Sequence, residues 1–179
     1  MALKSTIFKA RLNVADMDRN VYGDFNLTLA RHPSETDQRM MLRLLAFALN
    51  ADEQLEFGRG ISTDEEPDLW RRELNGDIDL WIELGTPDPD RLRKACGRAR
   101  QVLLYAYGDR STSVWWDKHS NALSRHDNLA VLRLGDETLA ELELFTAPGM
   151  NLQCSISEGE ALLSDGERSL AIKPERLEK

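Results

Sequence analysis

The sequence has few of the residues and motifs that commonly mark metal or nucleophile sites. Its two cysteines, Cys96 and Cys154, are isolated from each other, and neither CxxC nor HExxH occurs. The three histidines share no metal-ligand spacing, and no G-x-S-x-G elbow is present. A zinc site or a nucleophile-elbow hydrolase therefore has no signal here, although a Ser/His/Asp arrangement without that elbow stays open.

Long hydrophobic runs are also absent. No apolar stretch approaches the roughly 18 residues that a membrane helix needs, and the start, "MALKSTIFKARLNV", lacks the apolar region of a secretory signal. We therefore expect a cytoplasmic protein with reduced thiols and no membrane partner. The net charge of −8 opposes nucleic-acid binding overall, but a local basic face remains compatible with it.

The 179 residues suit one domain, residues 1–179. Alternating runs at 6–14 and 25–32 predict an N-terminal hairpin. Helical spacing after Pro33 predicts a first helix, with Ser34 as its N-cap and Asp37 at the capping-box position. "LEFGRGIS", residues 55–62, reads as a short strand, and "TDEEPD", residues 63–68, as an acidic loop.

The second half of the chain begins with a helix after Thr86. Asp88 is a suitable cap, Pro89 suits the first helical position, and Asp90 favours the positive helix start. The apolar run 102–108 predicts a strand buried on both faces, and 111–128 a third helix. Residues 129–174 are short alternating runs broken by Gly-containing turns, which predict a β-meander.

Residues 67–85, "PDLWRRELNGDIDLWIELG", predict a hairpin rich in carboxylates. Asn75-Gly76 is the strongest short hairpin signal and predicts a two-residue turn. Alternation then places one set of opposed residues on one side of the ribbon. The predicted pairs are Leu74 with Asp77, Arg72 with Asp79, Trp70 with Trp81, and Asp68 with Glu83.

The Asp68–Glu83 pair is the main candidate site. Opposed residues have Cβ atoms about 4.5–5.5 Å apart, so two ionised carboxylates there repel each other unless one is protonated or a cation binds. Mg²⁺ and Mn²⁺ prefer such oxygen ligands, which predicts a divalent-metal site. The alternative is that both acids are merely exposed, with arginines nearby.

Two further features admit a functional and a structural interpretation. Glu35, near the start of the first helix, either interacts with the helix N-terminus or adds a third carboxylate to the metal. Residues 91–100, "RLRKACGRAR", contain five basic residues and no acid. Arg91, Arg93, Lys94 and Arg98 either contact nucleic-acid phosphates or form a solvated helix face.

Several segments together resemble one family. "RHPSETDQRMMLRLLAFAL", "PDLW", "GDIDLWIELGTPDPDRLRKA" and "VLLYAYG" are similar to the YaeQ family of bacterial proteins, over nearly the whole chain. That family is regarded as a variant of the PD-(D/E)XK nuclease-like fold. The resemblance implies an α+β protein with a mixed central β-sheet flanked by helices and a restriction-endonuclease-like αβββαβ core, here between the N-terminal hairpin and the C-terminal β-meander.

The resemblance also implies roles for particular residues. The superfamily's "PD" matches Pro67-Asp68, its strand acid matches Glu83, and its first-helix glutamate matches Glu35. The motif lysine, expected two residues after the strand acid, is replaced by Gly85. Some members carry this lysine on the following helix, where Lys94 is the candidate, with Lys118 as a second choice.

The sequence therefore supports three functions. The first is a metal-dependent nuclease with Mg²⁺ or Mn²⁺ at Asp68 and Glu83, assisted by Glu35 and Lys94. The second is a non-catalytic nucleic-acid- or protein-binding module on a nuclease-like fold, which Gly85 favours. The third is a protein–protein adaptor that binds neither metal nor nucleic acid.

Overall fold

A computed structural model describes residues 4–59 and 65–179 and divides the chain into two compact units. The first comprises residues 1–53 and 137–173, and the second residues 54–136 and 174–179. In chain order the elements are β1 (Thr6–Asp16), β2 (Val21–Arg31), α1 (Asp37–Leu49), β3 (Leu55–Phe57), β4 (Leu69–Arg72), β5 (Ile78–Leu84), α2 (Pro89–Arg98), β6 (Ala99–Tyr107), α3 (Asp109–Leu123), β7 (Leu129–Leu134), α4 (Asp136–Glu143), β8 (Gly149–Ser157), β9 (Glu160–Ser164), β10 (Ser169–Ile172) and β11 (Glu175–Leu177).

The first unit is built on a five-stranded mixed sheet with the order β10-β9-β8-β1-β2. β1 pairs antiparallel with β2, which confirms the predicted hairpin, and parallel with β8. Along β1, Leu12 and Val14 are buried, whereas Lys9, Arg11 and Asn13 are exposed. Because side chains alternate along a strand, this sheet has one core face and one solvent face.

Thr36, rather than Ser34, caps α1. The backbone of Thr36 is extended, and its Oγ1 accepts a hydrogen bond from the amide of Arg39 at 3.1 Å. The amide of Glu35 donates to the carbonyl of His32 at 2.8 Å, so residues 32–35 form a turn before the helix. The predicted Ser34 cap was therefore wrong, and Glu35 precedes the helix instead of lying in its first turn.

Replacing Thr36 with alanine is expected to lower the free energy of unfolding by about 1 kcal/mol, because a helix N–H loses its acceptor. Ser34→Ala leaves this cap intact and should change stability much less. Urea unfolding of both variants measures the difference. Equal losses for the two substitutions would contradict the assignment of the cap to Thr36.

The second unit is built on a six-stranded mixed sheet with the order β11-β7-β6-β5-β4-β3. β5, β6 and β7 are parallel, and α2 and α3 connect them in sequence. The apolar β6 is buried on both faces over most of its length, as predicted. Asp88 caps α2 by accepting from the amide of Asp90 at 2.8 Å, with Pro89 in the first helical turn, also as predicted.

The β4–β5 hairpin has the predicted register near its open end. Trp70 lies opposite Trp81, and their rings meet edge to face with centroids 6.1 Å apart. One step further out, the amide of Asp68 donates to the carbonyl of Ile82 at 3.1 Å. The pairing therefore carries Asp68 to the end of β5 that contains Glu83.

The register differs from the prediction at the hairpin turn. The amide of Glu73 donates to the carbonyl of Asp77 at 2.8 Å, so the loop is longer than two residues. A register shift between residues 71 and 72 accommodates the longer loop. The predicted pairs Leu74–Asp77 and Arg72–Asp79 were therefore wrong, because the extra loop residue shifts the pairing by one between the turn and this irregularity. Beyond the irregularity the predicted register is restored.

The negative charge of Asp79 is balanced by arginines other than Arg72. Its carboxylate lies 3.8 Å from Nε of Arg100 and 4.0 Å from Nε of Arg71. Arg72 is 3.5 Å from the carboxylate of Glu56 and stacks over the ring of Trp70 at 4.1 Å. Charge neutralisation near the turn thus comes from side chains on three strands.

Residues 129–174 do not form one β-meander. β7 runs parallel to β6 in the second unit, and α4, a helix that was not predicted, follows it. β8, β9 and β10 do form the predicted antiparallel meander. The signal for α4 is short: Leu139 and Leu142, three residues apart, are its two buried side chains.

The α+β class is confirmed, but the single central sheet is replaced by two mixed sheets and, in the described ranges, four helices. The single domain over residues 1–179 stays a prediction. β3 accounts for the start of the predicted strand 55–62; its end and residues 63–64 of the acidic loop lie outside the described residues. No helix within 4–59 and 65–179 has the length and apolar character to cross a membrane.

Candidate functional site

Asp68 and Glu83 come together where β4 meets β5. Asp68 immediately precedes β4, and its Oδ2 accepts a hydrogen bond from the amide of Leu84 at 3.0 Å. Glu83 is the next residue back along β5. The two carboxyl groups are close enough that the charge of Asp68 helps to raise the pKa of Glu83.

Glu83 is a buried carboxyl with two strong hydrogen-bond donors. It is only 5% exposed. Its Oε1 accepts from Nε1 of Trp81 at 2.9 Å and from Nε of Arg91 at 3.0 Å. Burial is the largest cause of the raised pKa of Glu83, and the hydrogen bond from Arg91 is the largest opposing cause.

Arg91 supplies the positive charge at this site. It lies in the first turn of α2, whose start is fixed by the Asp88 cap. Besides its contacts with Glu83, its Nη2 donates to the backbone carbonyl of Glu66 at 3.0 Å. The sequence predicts either a phosphate contact or a solvated helix face for Arg91. In the structure Arg91 instead bridges α2, Glu83 and the segment before β4.

Gly85, the position at which the resemblance places the motif lysine, has a backbone conformation that favours glycine. Its φ angle is +101°, a conformation that residues with a side chain rarely adopt. Its amide donates to the carbonyl of Tyr105 at 2.9 Å as β5 ends. A lysine at this position would be strained, so the motif lysine is incompatible with this chain path.

The basic residues of α2 have different surroundings. Arg91, Lys94 and Arg98 line a groove of about 710 Å³, together with Glu65, Trp81, Asp88, Asp90, Ala95 and Gly97. Arg98 donates to the carbonyl of Glu65 at 3.2 Å and lies 5.1 Å from the ring centroid of Trp81. Asp68 and Glu83 are not among the described residues that line this groove.

Lys94 and Arg93 lie on the exposed side of α2. The side chain of Lys94 is 69% exposed, and its Nζ is 3.4 Å from Oδ2 of Asp90. Arg93 bonds the same carboxylate at 2.7 Å. Hydrogen bonds from Arg93 are the largest cause of the lowered pKa of Asp90. The second lysine candidate, Lys118, is exposed on α3.

Glu35 belongs to the first unit and already has cationic partners. Its carboxylate receives two hydrogen bonds from Arg43, at 2.6 and 2.9 Å, and one from Arg39 at 3.0 Å. The Glu35 side chain is 4% exposed. These contacts give the buried acid a structural role in the turn that leads into α1.

The family model described as YaeQ protein matches residues 1–174. The chain belongs to the YaeQ family. It is 51% identical over 173 residues to the uncharacterized protein YaeQ of Salmonella typhi, covering 97% of this chain and 96% of that protein. It is 49% identical over 172 residues to the Escherichia coli K12 protein of the same name, covering 96% and 95% of the two chains.

Two crystal structures of YaeQ proteins have the same fold. The YaeQ protein from Xanthomonas axonopodis pv. citri matches with a TM-score of 0.94 and 48% identity, covering 97% of this chain and 98% of that one. The YaeQ protein from Pseudomonas syringae matches with a TM-score of 0.92 and 38% identity, covering 98% and 97%. The two-sheet α+β architecture is thus that of the YaeQ family.

In this YaeQ-family chain, the acidic pair fits a guanidinium group better than a divalent cation. Arg91 already donates to Oε1 of Glu83, and a metal ion beside that oxygen would be repelled by the guanidinium charge. Within residues 4–59 and 65–179, no three His, Cys, Asp or Glu side chains are grouped closely enough to hold a metal. Metal binding by Asp68 and Glu83 stays a prediction.

The raised pKa of Glu83 predicts a pH-dependent contribution to stability. The folded protein binds the Glu83 proton more tightly than the unfolded chain, whose carboxyl has the ordinary pKa of 4.5. This contribution is therefore complete below the unfolded pKa and is lost as the pH rises through the folded pKa. Glu83→Gln stays neutral, so the stability of wild type relative to this variant should fall with rising pH. A constant difference across the pH series would contradict the assignment.

Gly58 packs directly against the backbone of Pro67 and Asp68. Its amide donates to the carbonyl of Asp68 at 2.9 Å, and a Cβ at Gly58 would lie 1.9 Å from the carbonyl oxygen of Pro67. Gly58→Ala is expected to destabilise by about 1–3 kcal/mol, because that backbone must move. Gly97→Ala is the control: it lies in α2 with open space around it and should stabilise by about 0.5–1 kcal/mol. Urea unfolding compares them, and equal effects would refute the steric argument.

Proposed function

We propose that this YaeQ-family protein is a nuclease-like module that binds nucleic-acid phosphodiesters without cleaving them. The observation that carries the proposal is the guanidinium of Arg91 on Glu83, 2.9 Å from Oε1, at the acidic pair. A nuclease of this type would need that position for a cation that also contacts substrate. Because the Arg91 guanidinium lies on Glu83 and position 85 is a glycine, we assign this protein the binding of phosphodiesters without their cleavage.

The nuclease-like assignment is supported by the order of elements and by the acids. From α1 to β6 the order is α1-β3-β4-β5-α2-β6, the αβββαβ sequence that the resemblance implies. Pro67-Asp68 precedes the second of these strands, and Glu83 lies near the end of the third. The positions of the acids along the chain therefore support the nuclease-like assignment together with the succession of elements.

Phosphate contacts are assigned to the exposed cations of α2. Arg93 and Lys94 share one partner, Asp90, and ion pairs at so exposed a position are worth little. A phosphodiester can therefore replace Asp90 as their partner at small cost. Arg98, on the wall of the groove, adds a third cation.

The second candidate function is metal-dependent cleavage with Mg²⁺ or Mn²⁺ at Asp68 and Glu83. It is favoured by the closeness of the two carboxyl groups, which proteins tolerate by protonating one of them or binding a cation. In that case Arg91 must leave Glu83 when the metal binds. Lys94 would then be the remaining candidate for the missing motif lysine.

Binding and cleavage of single- and double-stranded DNA and RNA, in Mg²⁺ and in Mn²⁺, separate the candidates. Wild type is compared with Asp68→Ala, Glu83→Ala and the double variant Arg93→Gln/Lys94→Gln, all purified identically. We expect salt-sensitive binding that the α2 variant weakens, and no cleavage. Metal-dependent cleavage lost in both acid variants would establish the nuclease instead. Absence of both binding and cleavage would refute the proposal and leave the protein-binding adaptor.

A further inference from the structure

The solvent face of the sheet in the first unit carries a polar groove across three strands. The groove has a volume of about 600 Å³ and lies over β2, β1 and β8. Its polar lining side chains are Lys9, Arg11, Asn26, Thr28 and Asn151. None of these residues contributes to the core, because each points to the exposed side of its strand.

Arg11 lies at the centre of this groove between two amide side chains. In the sheet register it is opposite Asn26 on β2 and opposite Asn151 on β8. Directly opposed side chains of an antiparallel pair, such as Arg11 and Asn26, have Cβ atoms about 4.5–5.5 Å apart, and Asn151 lies on the other side of Arg11 on the parallel strand β8. One guanidinium is thus flanked on both sides by groups that donate and accept hydrogen bonds.

Lys9 lies on the same face, two residues before Arg11, and has open space beside it. Its partner on β8 is Gly149, and a methyl group added to this glycine would meet no described atom within 4 Å. Two residues along a strand correspond to about 6.6 Å. The sheet therefore presents two cations, whose backbone positions are about 6.6 Å apart, along a groove that is open at the Gly149 side.

Neither Lys9 nor Arg11 forms an ion pair with any residue in the described parts of the chain. Asp24, an acid on the same face, instead accepts a hydrogen bond at Oδ1 from the side-chain Nδ2 of Asn13 at 2.9 Å. In a chain with a net charge of −8, this groove is a local positive site whose charge is available to an anionic ligand.

We infer that this sheet face is a binding surface for single-stranded nucleic acid. Lys9 and Arg11 contact successive phosphates, and Asn26 and Asn151 reach base edges, which amide side chains read well. Tyr22, 60% exposed on the same face opposite Ala15, offers a ring for base stacking. The open groove spans three strands, which suits an extended chain better than a small enclosed anion.

The inference goes beyond the proposed function and does not rest on it. The α2 cations belong to the second unit, whereas this surface lies wholly on strands of the first. Either surface can therefore fail without the other. Substitutions on the two surfaces, measured against the same probe, tell the two failures apart.

The test is fluorescence anisotropy of a short labelled oligouridylate with the full chain over a salt series. Lys9→Gln/Arg11→Gln should weaken binding and reduce the slope of log K against log salt by about 1.4, the value for two contacts with a single strand. Asn26→Ala/Asn151→Ala should weaken binding and leave the slope unchanged. Arg110→Gln/Arg125→Gln, which removes two exposed charges elsewhere, is the matched control and should bind as wild type does.

Four results would overturn the inference. Two concern the oligonucleotide itself: wild type does not bind it, or Lys9→Gln/Arg11→Gln binds it as tightly as wild type does. The third is an equal loss of affinity in the Arg110→Gln/Arg125→Gln control. The fourth is displacement of the probe by polyglutamate or duplex RNA as readily as by unlabelled oligouridylate. If Lys9→Gln/Arg11→Gln loses affinity for the probe and Arg93→Gln/Lys94→Gln does not, the result supports the sheet surface and counts against the α2 surface.

Discussion

Arg91→Ala is expected to destabilise the protein by about 3 kcal/mol, because it leaves the buried carboxylate of Glu83 without its cation. The side chain of Glu83 is 6% exposed, so its charge is largely removed from water. The same substitution removes the hydrogen bond to the carbonyl of Glu66, which ties α2 to the segment before β4. The free energy of unfolding from urea titration measures the loss.

A double-mutant cycle separates the ion pair from the other contacts of Arg91. Glu83→Gln keeps an acceptor for the indole of Trp81 and removes the charge. In the Glu83→Gln background, Arg91→Ala should lower the free energy of unfolding by clearly less than in wild type, because no buried charge is left unpaired. Equal costs in the two backgrounds would show that Arg91 acts only through packing and the Glu66 carbonyl.

Arg43→Met should destabilise by about 3–5 kcal/mol, the largest loss that we expect from a single substitution in this chain. Arg43 and Glu35 form a two-point pair with side chains 9% and 4% exposed. Arg43 also donates to the carbonyl of Ala30 at 3.1 Å and so links α1 to β2. Methionine preserves much of the length and apolar stem but leaves Glu35 with a weaker, more exposed partner.

Arg39→Met is the matched control, because Arg39 contacts the same carboxylate from a side chain that is 27% exposed. Losing the Arg39 side chain should lower the free energy of unfolding by at most about 1 kcal/mol, because this arginine is partly screened by solvent and Arg43 stays on the carboxylate. Glu35→Gln should reduce the cost of Arg43→Met when the two are combined. Similar losses for Arg39→Met and Arg43→Met would contradict the importance of the buried pair.

Local sequence patterns predicted the structure correctly where it depends on residues that are close together in the chain. The N-terminal hairpin and the Asp88 cap of α2 follow from alternation and capping rules. The pairing of Trp70 with Trp81 is also as predicted, but only because a register shift between residues 71 and 72 offsets the extra residue in the hairpin loop. Ser34 and Thr36 are both good caps, and only the turn at residues 32–35 selects Thr36. The two-turn helix α4 has too short a periodic signal to predict.

The acidic site shows the same division. The sequence predicts that Asp68 and Glu83 are neighbours, and the structure brings them together because the register shift between residues 71 and 72 offsets the longer hairpin loop. The partners of the acids are set by tertiary packing instead: Arg91 for Glu83, and Arg43 for Glu35. Such partners depend on which helix brings a long side chain over a buried oxygen. The division into two sheets was decided in the same way, by the pairing of β1 with β8, which are far apart in the chain and so leave no local signal.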